Sequence, residues 1–384
     1  MPSLDVVVDT PVRDSFRVQQ VAGMFDVPLE ERMSEQFCVE LPEEQGSWEI
    51  GLIVGPSGSG KSTIARHAYE NQLFRGFEWP DDRAVIDCFE GLPTRRVVEL
   101  LTTVGFGSPP SWIKPYAVLS GGERFRCDLA QALAHGIGKA DEQAGAESDK
   151  PTIVFDEFTS VVDRTVAKIG SAAVAKGVRS GRIGCRFVAV TCHYDVAEWL
   201  EPDWVLDMAT RTLTRRRLRR PSIELQIHRC NADAWRLFAR HHYLSGSLAR
   251  AAQCFLATWN GEPVSFCATL VTIARRGHRR FTRIVTLPDY QGVGIGMQTV
   301  AAVADIHQQE GNRVTVTSSH PALLQHCRRS PLWKATAYKK TGQSTNRSMA
   351  FSRYRNSAGR AVVSFEYLGE AASRPSPAFA TEGK

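Results

Sequence analysis

Apolar positions along the chain form two kinds of pattern, short unbroken runs and helical stripes. Trp48, Ile50 and Leu52 to Val54 make an apolar run that predicts a strand, and Thr63 to Tyr69 reads as a helix after it. Pro151 to Phe155 and Phe187 to Val190 repeat the buried-strand pattern, and Arg83 to Asp87 reads as another strand. Phe125, Leu129 and Leu133 recur along one helix face. Further on, Cys254–Trp259, Val264–Val271, Ile284–Pro288 and Val314–Thr317 read as strands. Val300, Val303, Ala304 and Ile306 mark one side of a helix. Trp235, Phe238 and His242 fall at helical spacing in a helix running from Asn231, which predicts a packed stripe.

The first strand ends in Gly55-Pro-Ser57-Gly58-Ser-Gly60-Lys61-Ser62-Thr63, which fills G-x-x-x-x-G-K-[ST] completely in the strand–loop–helix setting that motif needs. Glycines let the backbone curl until successive N–H groups face phosphate oxygens. Lys61 then reaches the β/γ-phosphates and Ser62 ligates Mg²⁺. Downstream come Leu119-Ser120-Gly121-Gly122-Glu123, then Asp156-Glu157 closing a strand, Ser160-Val-Val-Asp163, and Thr191-Cys192-His193 closing the next strand.

In that order these signals resemble the ATP-binding-cassette (ABC) ATPases over about the first 210 residues. The resemblance implies ATP and Mg²⁺ as ligands. It gives Asp156 the Mg²⁺, Glu157 the attacking water as general base, and His193 the γ-phosphate. Asp163 belongs to the loop that communicates across a dimer. Ser120 and Gly122 contact the γ-phosphate of nucleotide held by an opposing cassette, so hydrolysis needs two cassettes, and a homodimer is the simplest supplier.

The pattern departs from transporter cassettes in two places. Only 59 positions separate Lys61 from Ser120, and Cys88-Phe89-Glu90 stands where glutamine is expected, with Asp87 or Glu90 as possible substitutes. Phe25 is either the adenine-stacking aromatic or a core residue. Gly136 to Lys150 reads as a mobile polar insertion.

Charge divides the chain. Residues 1–210 carry 20 Lys/Arg against 32 Asp/Glu, and residues 211–384 carry 27 against 9, so an acidic half precedes a strongly basic one. Arg211, Arg215-Arg216-Arg217 and Arg219-Arg220 mark the boundary, and further basic groups follow at Arg275–Arg280, Arg328-Arg329 and Lys339-Lys340. Such asymmetry points to a polyanion, nucleic acid, with DNA favoured over RNA. Phe281, Trp333, Tyr338 and Tyr354 lie among these groups. No run approaches eighteen uncharged apolar residues, so no membrane span is expected. Nine cysteines without a C-x-x-C pair read as reduced thiols of a cytoplasmic protein.

Within the basic half, Leu287-Pro-Asp289-Tyr290-Gln291-Gly292-Val293-Gly294-Ile295-Gly296 links the Ile284 strand to the following helix. The stretch resembles the pyrophosphate loop of the GNAT acyltransferases. That likeness implies acetyl-CoA or another acyl-CoA, with Gln291, Gly292, Gly294 and Gly296 on the pyrophosphate and Leu287 along the pantetheine arm. The segment Ser319–Arg329, where that family often has a tyrosine acid, offers His320, His326 or Cys327 instead, with Tyr338 further on. Arg240-His241-His242-Tyr243-Leu-Ser245 is loosely similar to phage Mom-type DNA-modifying proteins.

The expected architecture is α/β: a P-loop ABC-type domain (1–210), an Arg-rich linker (211–222), an α+β GNAT-like domain (223–370) and a disordered tail (371–384). The expected activity is ATP binding and hydrolysis by the first domain and acyl-CoA-dependent transfer by the second, acting on or with nucleic acid (base modification). The alternatives are a DNA-maintenance ATPase whose second domain only binds DNA, and an ATPase subunit of a transporter.

Overall fold

The computed structural model describes residues 3–11, 13–28, 32–43, 46–142, 150–215, 218–242, 246–272, 276–340 and 361–369. Arg216, Arg217, Tyr243 to Ser245, Arg275, Tyr354 and the expected tail lie outside them. In chain order, the first elements are β1 (Ser3–Pro11), α1 (Phe16–Phe25), β2 (Arg32–Glu40), β3 (Ile50–Val54), α2 (Lys61–Ala68) and β4 (Leu73–Phe74). The next are α3 (Thr94–Thr103), α4 (Pro109–Trp112), α5 (Gly121–Glu142), β5 (Thr152–Phe155) and α6 (Arg164–Arg179). After these come β6 (Arg186–Thr191), α7 (Ala197–Leu200), β7 (Trp204–Asp207) and β8 (Thr212–Thr214). The remaining stretch holds β9 (Gln226–Cys230), α8 (Trp235–Phe238), β10 (Gln253–Trp259), β11 (Glu262–Val271) and β12 (His278–Thr286). It closes with α9 (Ile295–Gln309), β13 (Arg313–Ser318), α10 (Pro321–Arg329), β14 (Trp333–Lys339) and β15 (Val362–Tyr367).

These elements fall into two compact units interleaved in sequence. One comprises Met1–Phe77, Gln131–Val162 and Gly177–Arg220, the other Glu78–Ala130, Asp163–Lys176 and Pro221–Lys384. The fold class read from the sequence holds, with a P-loop α/β sheet in the first unit and an α+β sheet in the second.

The first unit is built on a sheet of order β4-β5-β6-β3-β7-β8, parallel except for the β7–β8 hairpin. Strands β3, β5 and β6 are buried along their whole length, as their unbroken apolar runs require of central parallel strands. Gly51 faces Trp204, whose indole occupies the place a Cβ would take. Trp204 in turn meets Trp48 edge-on at 5.5 Å. The antiparallel pair β1–β2 adds Val6, Phe37 and Val39 to the same core.

A polar clasp fixes the amino end of β3. Asp203 accepts hydrogen bonds from the N–H groups of Glu49 (2.8 Å) and Ile50 (3.0 Å). It also takes a bidentate pair from Arg179 at 2.7 and 2.9 Å. Burial alone would raise the Asp203 pKa, but the guanidinium and the two amides outweigh it and hold the carboxyl below its ordinary value.

In the second unit, seven strands run in the order β14-β15-β13-β12-β11-β10-β9. All neighbours are antiparallel except β12 and β13. One face packs Val300, Val303 and Ala304 of α9 against Phe255, Phe281, Val314 and Phe365. The other packs Trp235 and Phe238 against Phe266 and Val285, so the predicted stripe forms, with His242 edge-on to Trp235 at 5.6 Å. His307, fully buried in α9, is satisfied by Thr269 (2.9 Å) and Glu310 (3.0 Å). Helices α3, α4 and the first half of α5 belong to this unit. There Asp128 accepts from both Trp79 Nε1 (2.7 Å) and Tyr116 Oη (2.8 Å), whose rings stack at 4.7 Å.

Three sequence expectations change. Arg83–Asp87 contains no strand; Val85–Cys88 is a 3-10 turn, and the place beside β5 is taken by β4 through Leu73 and Val154. The expected loop from Gly136 is helical as far as Glu142, because Gly136 lets α5 lie directly on Ile153. Phe25 is not a core residue: it is 70% exposed at the end of α1.

The clasp yields a prediction. Asp203→Asn should lower stability at neutral pH by about 2–3 kcal/mol, since it strands part of the Arg179 charge. The Asp203 pKa is lower folded than unfolded, so its contribution is complete above the ordinary carboxylate range and fades as acid protonates it. Denaturant titrations of variant and wild type should therefore converge as the pH falls below about 4.

Candidate nucleotide and acyl-donor sites

Three predicted elements meet at the carboxyl edge of the parallel sheet. The Gly55–Thr63 loop leaves β3, Asp156-Glu157 leave β5, and His193 stands two residues beyond β6. That edge is where ligands bind in open α/β sheets. Gly58 and Gly60 take φ of 80° and 81°, the left-handed region that glycine enters freely. Gly60 also lies flat on the Phe37 ring, where a Cβ would overlap ring carbons. The N–H groups of Gly58, Gly60, Lys61 and Ser62 donate no backbone hydrogen bond among the described residues.

The side chains converge on this cradle. Lys61, mostly buried, curls back so that Nζ donates to the Pro56 carbonyl at 2.7 Å. Ser62 Oγ donates to Asp156 Oδ1 at 3.0 Å, which brings together the two groups expected to share Mg²⁺. The same Asp156 oxygen accepts the Glu157 N–H at 2.9 Å, and Glu157 Oε2 accepts Ser160 Oγ at 2.6 Å. Glu157 itself sits at φ 52°, a sparsely populated region for a non-glycine residue. The His193 N–H is fixed by Thr191 Oγ1 at 3.2 Å.

The serine-glycine motif opens α5 as a capping box. Ser120 donates its N–H and its hydroxyl to Glu123 Oε2, both at 3.0 Å, and Ser111 Oγ donates to Oε1 at 2.8 Å. Burial pushes the Glu123 pKa up, but these donors outweigh it and hold the carboxyl low. Asp163 caps α6, its Oδ1 accepting the Thr165 (2.9 Å) and Val166 (3.0 Å) N–H groups.

Sequence reading overlooked Arg126, three residues past Glu123. Its side chain is 1% exposed; Nη1 reaches the Gly122 carbonyl at 3.2 Å and Asp289 Oδ1 at 4.0 Å. Nε and Nη2 have no hydrogen-bond partner among the described residues. The available signal was a charge next to the apolar stripe of Phe125, Leu129 and Leu133.

The second glycine loop lies at a fork in the other sheet. Parallel pairing of β12 and β13 covers only His278↔Arg313, Arg279↔Val314 and Arg280↔Thr315, although β12 continues to Thr286. Beyond that point the strands are unpaired with each other, and the loop follows the end of β12. Gly292 and Gly294 take φ of 96° and 107°, and Gly296 packs on Thr286, whose Oγ1 would be 2.7 Å from a Cβ. The N–H groups of Gly292, Val293 and Gly294 donate no backbone hydrogen bond among the described residues. Gln291 donates Nε2 to the Thr286 carbonyl at 2.8 Å, and Leu287 packs against the Trp235–Phe266 cluster.

Of the proton-transfer candidates, Cys327 is 1% exposed and its thiol is pushed up to about 12 by burial, which removes it. His320 heads α10, with Nε2 3.1 Å from the Gly107 carbonyl, and burial lowers its pKa despite that bond. His326 and Tyr338 are exposed. His241 contacts Arg240 Nε at 3.0 Å, and burial and that cation lower its pKa.

No protein-family model and no curated protein matches the chain. Solved structures do. One is a ribosomal-protein alanine N-acetyltransferase from Escherichia coli, at 16% identity over 38% of this chain and 97% of that one, TM-score 0.29. A Bacillus subtilis acetyltransferase in complex with CoA is similar at 13% identity, 38% and 100% coverage, TM-score 0.30. A dimeric ATP-binding cassette bound to ADP and Pi is similar at 19% identity, 45% and 87% coverage, TM-score 0.33. No helix among the described residues is long and apolar enough to cross a membrane.

The loop geometry can be tested directly. Gly60→Ala should cost about 2–4 kcal/mol through its left-handed φ and the Phe37 overlap. Gly58→Ala, with the same φ but open space around it, should cost only about 1 kcal/mol. Equal losses in denaturant unfolding would contradict the Phe37 contact.

Proposed function

We propose that this chain binds and hydrolyses Mg²⁺-ATP as a homodimer and uses acetyl-CoA or another acyl-CoA to modify a base or amine on nucleic acid. The observation that carries the first part is the 3.0 Å Ser62–Asp156 contact beside a row of undonated N–H groups. When bound, Mg²⁺-ATP supplies a transferable phosphoryl group whose developing charge must be neutralised. Lys61 leaves Pro56 for the β/γ-phosphates, Ser62 and Asp156 hold the cation, and Glu157 orients water. His193 and the partner copy's signature complete the enclosure.

Support for acyl transfer is the pair of left-handed glycines at the fork between β12 and β13, whose free backbone groups suit a pyrophosphate followed by an amide-bearing arm. Acyl-CoA supplies an activated thioester; the chain must remove a proton from the attacking amine and return one to the thiolate. His320 and His241 are the candidate groups for that proton; burial lowers the pKa of both, and the Nε2 of each is paired, with the Gly107 carbonyl and with Arg240 respectively. Nucleic-acid binding is supported by exposed Arg328 and Arg329 at the end of α10, by Lys334 and Tyr338 on the edge strand β14, and by Lys340 just past it.

Three measurements test this reading. Glu157→Gln should lower ATP turnover about 10²- to 10³-fold while retaining nucleotide, and light scattering should find a dimer with ATP. A variant that stays monomeric removes the trans arrangement. Radiolabelled acetyl-CoA incubated with protein and duplex DNA should leave label on one of them; its absence, with no CoA bound, favours a DNA-binding module. Replacing Arg328, Arg329 and Lys334 with alanine should reduce the log–log salt slope of DNA binding by about 2–3.

A further inference from the structure

The acyl-donor loop is covered by the chain itself. The turn joining α3 to α4 presents Gly105, at φ 85°, to Gln291; a Cβ there would stand 2.7 Å from the Gln291 carbonyl oxygen. A Cβ on Gly292 would stand 2.9 Å from the Gly105 Cα and 2.8 Å from the Ala173 Cβ of α6. Two glycines thus face each other across a contact that admits no side chain. Hydrogen bonds hold it: Gly107 N–H donates to Gln291 Oε1 at 2.9 Å, and the Gly107 carbonyl meets His320 Nε2 at 3.1 Å. Lys176 Nζ reaches the Val293 carbonyl at 3.4 Å. Gln291, the first residue of the expected pyrophosphate grip, is therefore already engaged.

The same contact touches the signature motif through Arg126. Its Nη1 bonds the Gly122 carbonyl and lies near Asp289, and a Cβ on Gly105 would be 3.5 Å from Nε. A guanidinium almost wholly buried, with Nε and Nη2 unsatisfied among the described residues, is a costly arrangement that a second arrangement can relieve.

We propose that the Gly105–Gly107 turn is an autoinhibitory plug on the Gln291–Gly294 loop, released when ATP engages the Ser120–Gly122 signature and draws Arg126 away. This deepens the acyl-CoA reading of the loop and rests on it. ATP would then decide when the acyl donor enters rather than drive the transfer step.

The test uses the full chain and coenzyme A as probe, followed by calorimetry. Affinity should rise at least about tenfold when Glu157→Gln protein is loaded with Mg²⁺-ATP, and likewise without nucleotide in Gly105→Val, whose side chain cannot sit against Gln291. Hydrogen–deuterium exchange of unmodified protein supplies a readout independent of the glycine variant. The amides of Gly105–Gly107, bonded to Thr102, Leu101 and the Gln291 side chain, should exchange faster with ATP and a non-hydrolysable analogue alike. Equal CoA affinity in every state, or unchanged exchange, overturns the plug and leaves the acyl-CoA reading standing. No CoA binding in any state, including a folded Gly105→Val, overturns both.

Discussion

A backbone N–H that leaves a strand and does not enter a helix must find an acceptor, and the chemistry proposed for this chain grows from that constraint. At the ends of β3 and β12 the backbone turns through left-handed glycines and aims several such donors into one small space. Side chains could not take these positions: Gly60 is pressed on Phe37, and Gly296 on Thr286. Each loop thus carries its own set of partial positive charges suited to an anion. What surrounds each set differs, with carboxylates and a lysine at the first, and glutamine and histidines at the second.

Both sheets supply the stiffness this requires. In the parallel sheet, β3 is packed on both faces, and the Arg179–Asp203 clasp holds its amino end through the amides of Glu49 and Ile50. In the other, α9 is locked on the sheet by Val300, Val303 and Ala304, with His307 tied to Thr269.

Much of this was legible in the chain. Unbroken apolar runs located β3, β5 and β6, and the residues closing them, Asp156, Glu157 and His193, lie at one sheet edge because parallel strands share a direction. The strand expected at Arg83–Asp87 failed because periodicity over five residues does not say which segment wins a sheet position; Leu73–Phe74 did. Helix α5 runs into the segment read as a polar insertion because Gly136 serves close packing on Ile153. Arg126 was missed for a similar reason. A residue type usually exposed is buried here, and only three-dimensional neighbours such as Asp289, 163 positions away, reveal it. The meeting of Gly105 with Gln291 has no local signature at all.

The brief parallel register between β12 and β13 has one more consequence. A row of open ladder positions inside a sheet is, in principle, a template on which foreign strands could grow. Here the gap is a wedge that closes at Arg280↔Thr315, so an intruding chain meets a wall after a few residues. The short register thus favours a short extended molecule over a propagating fibril.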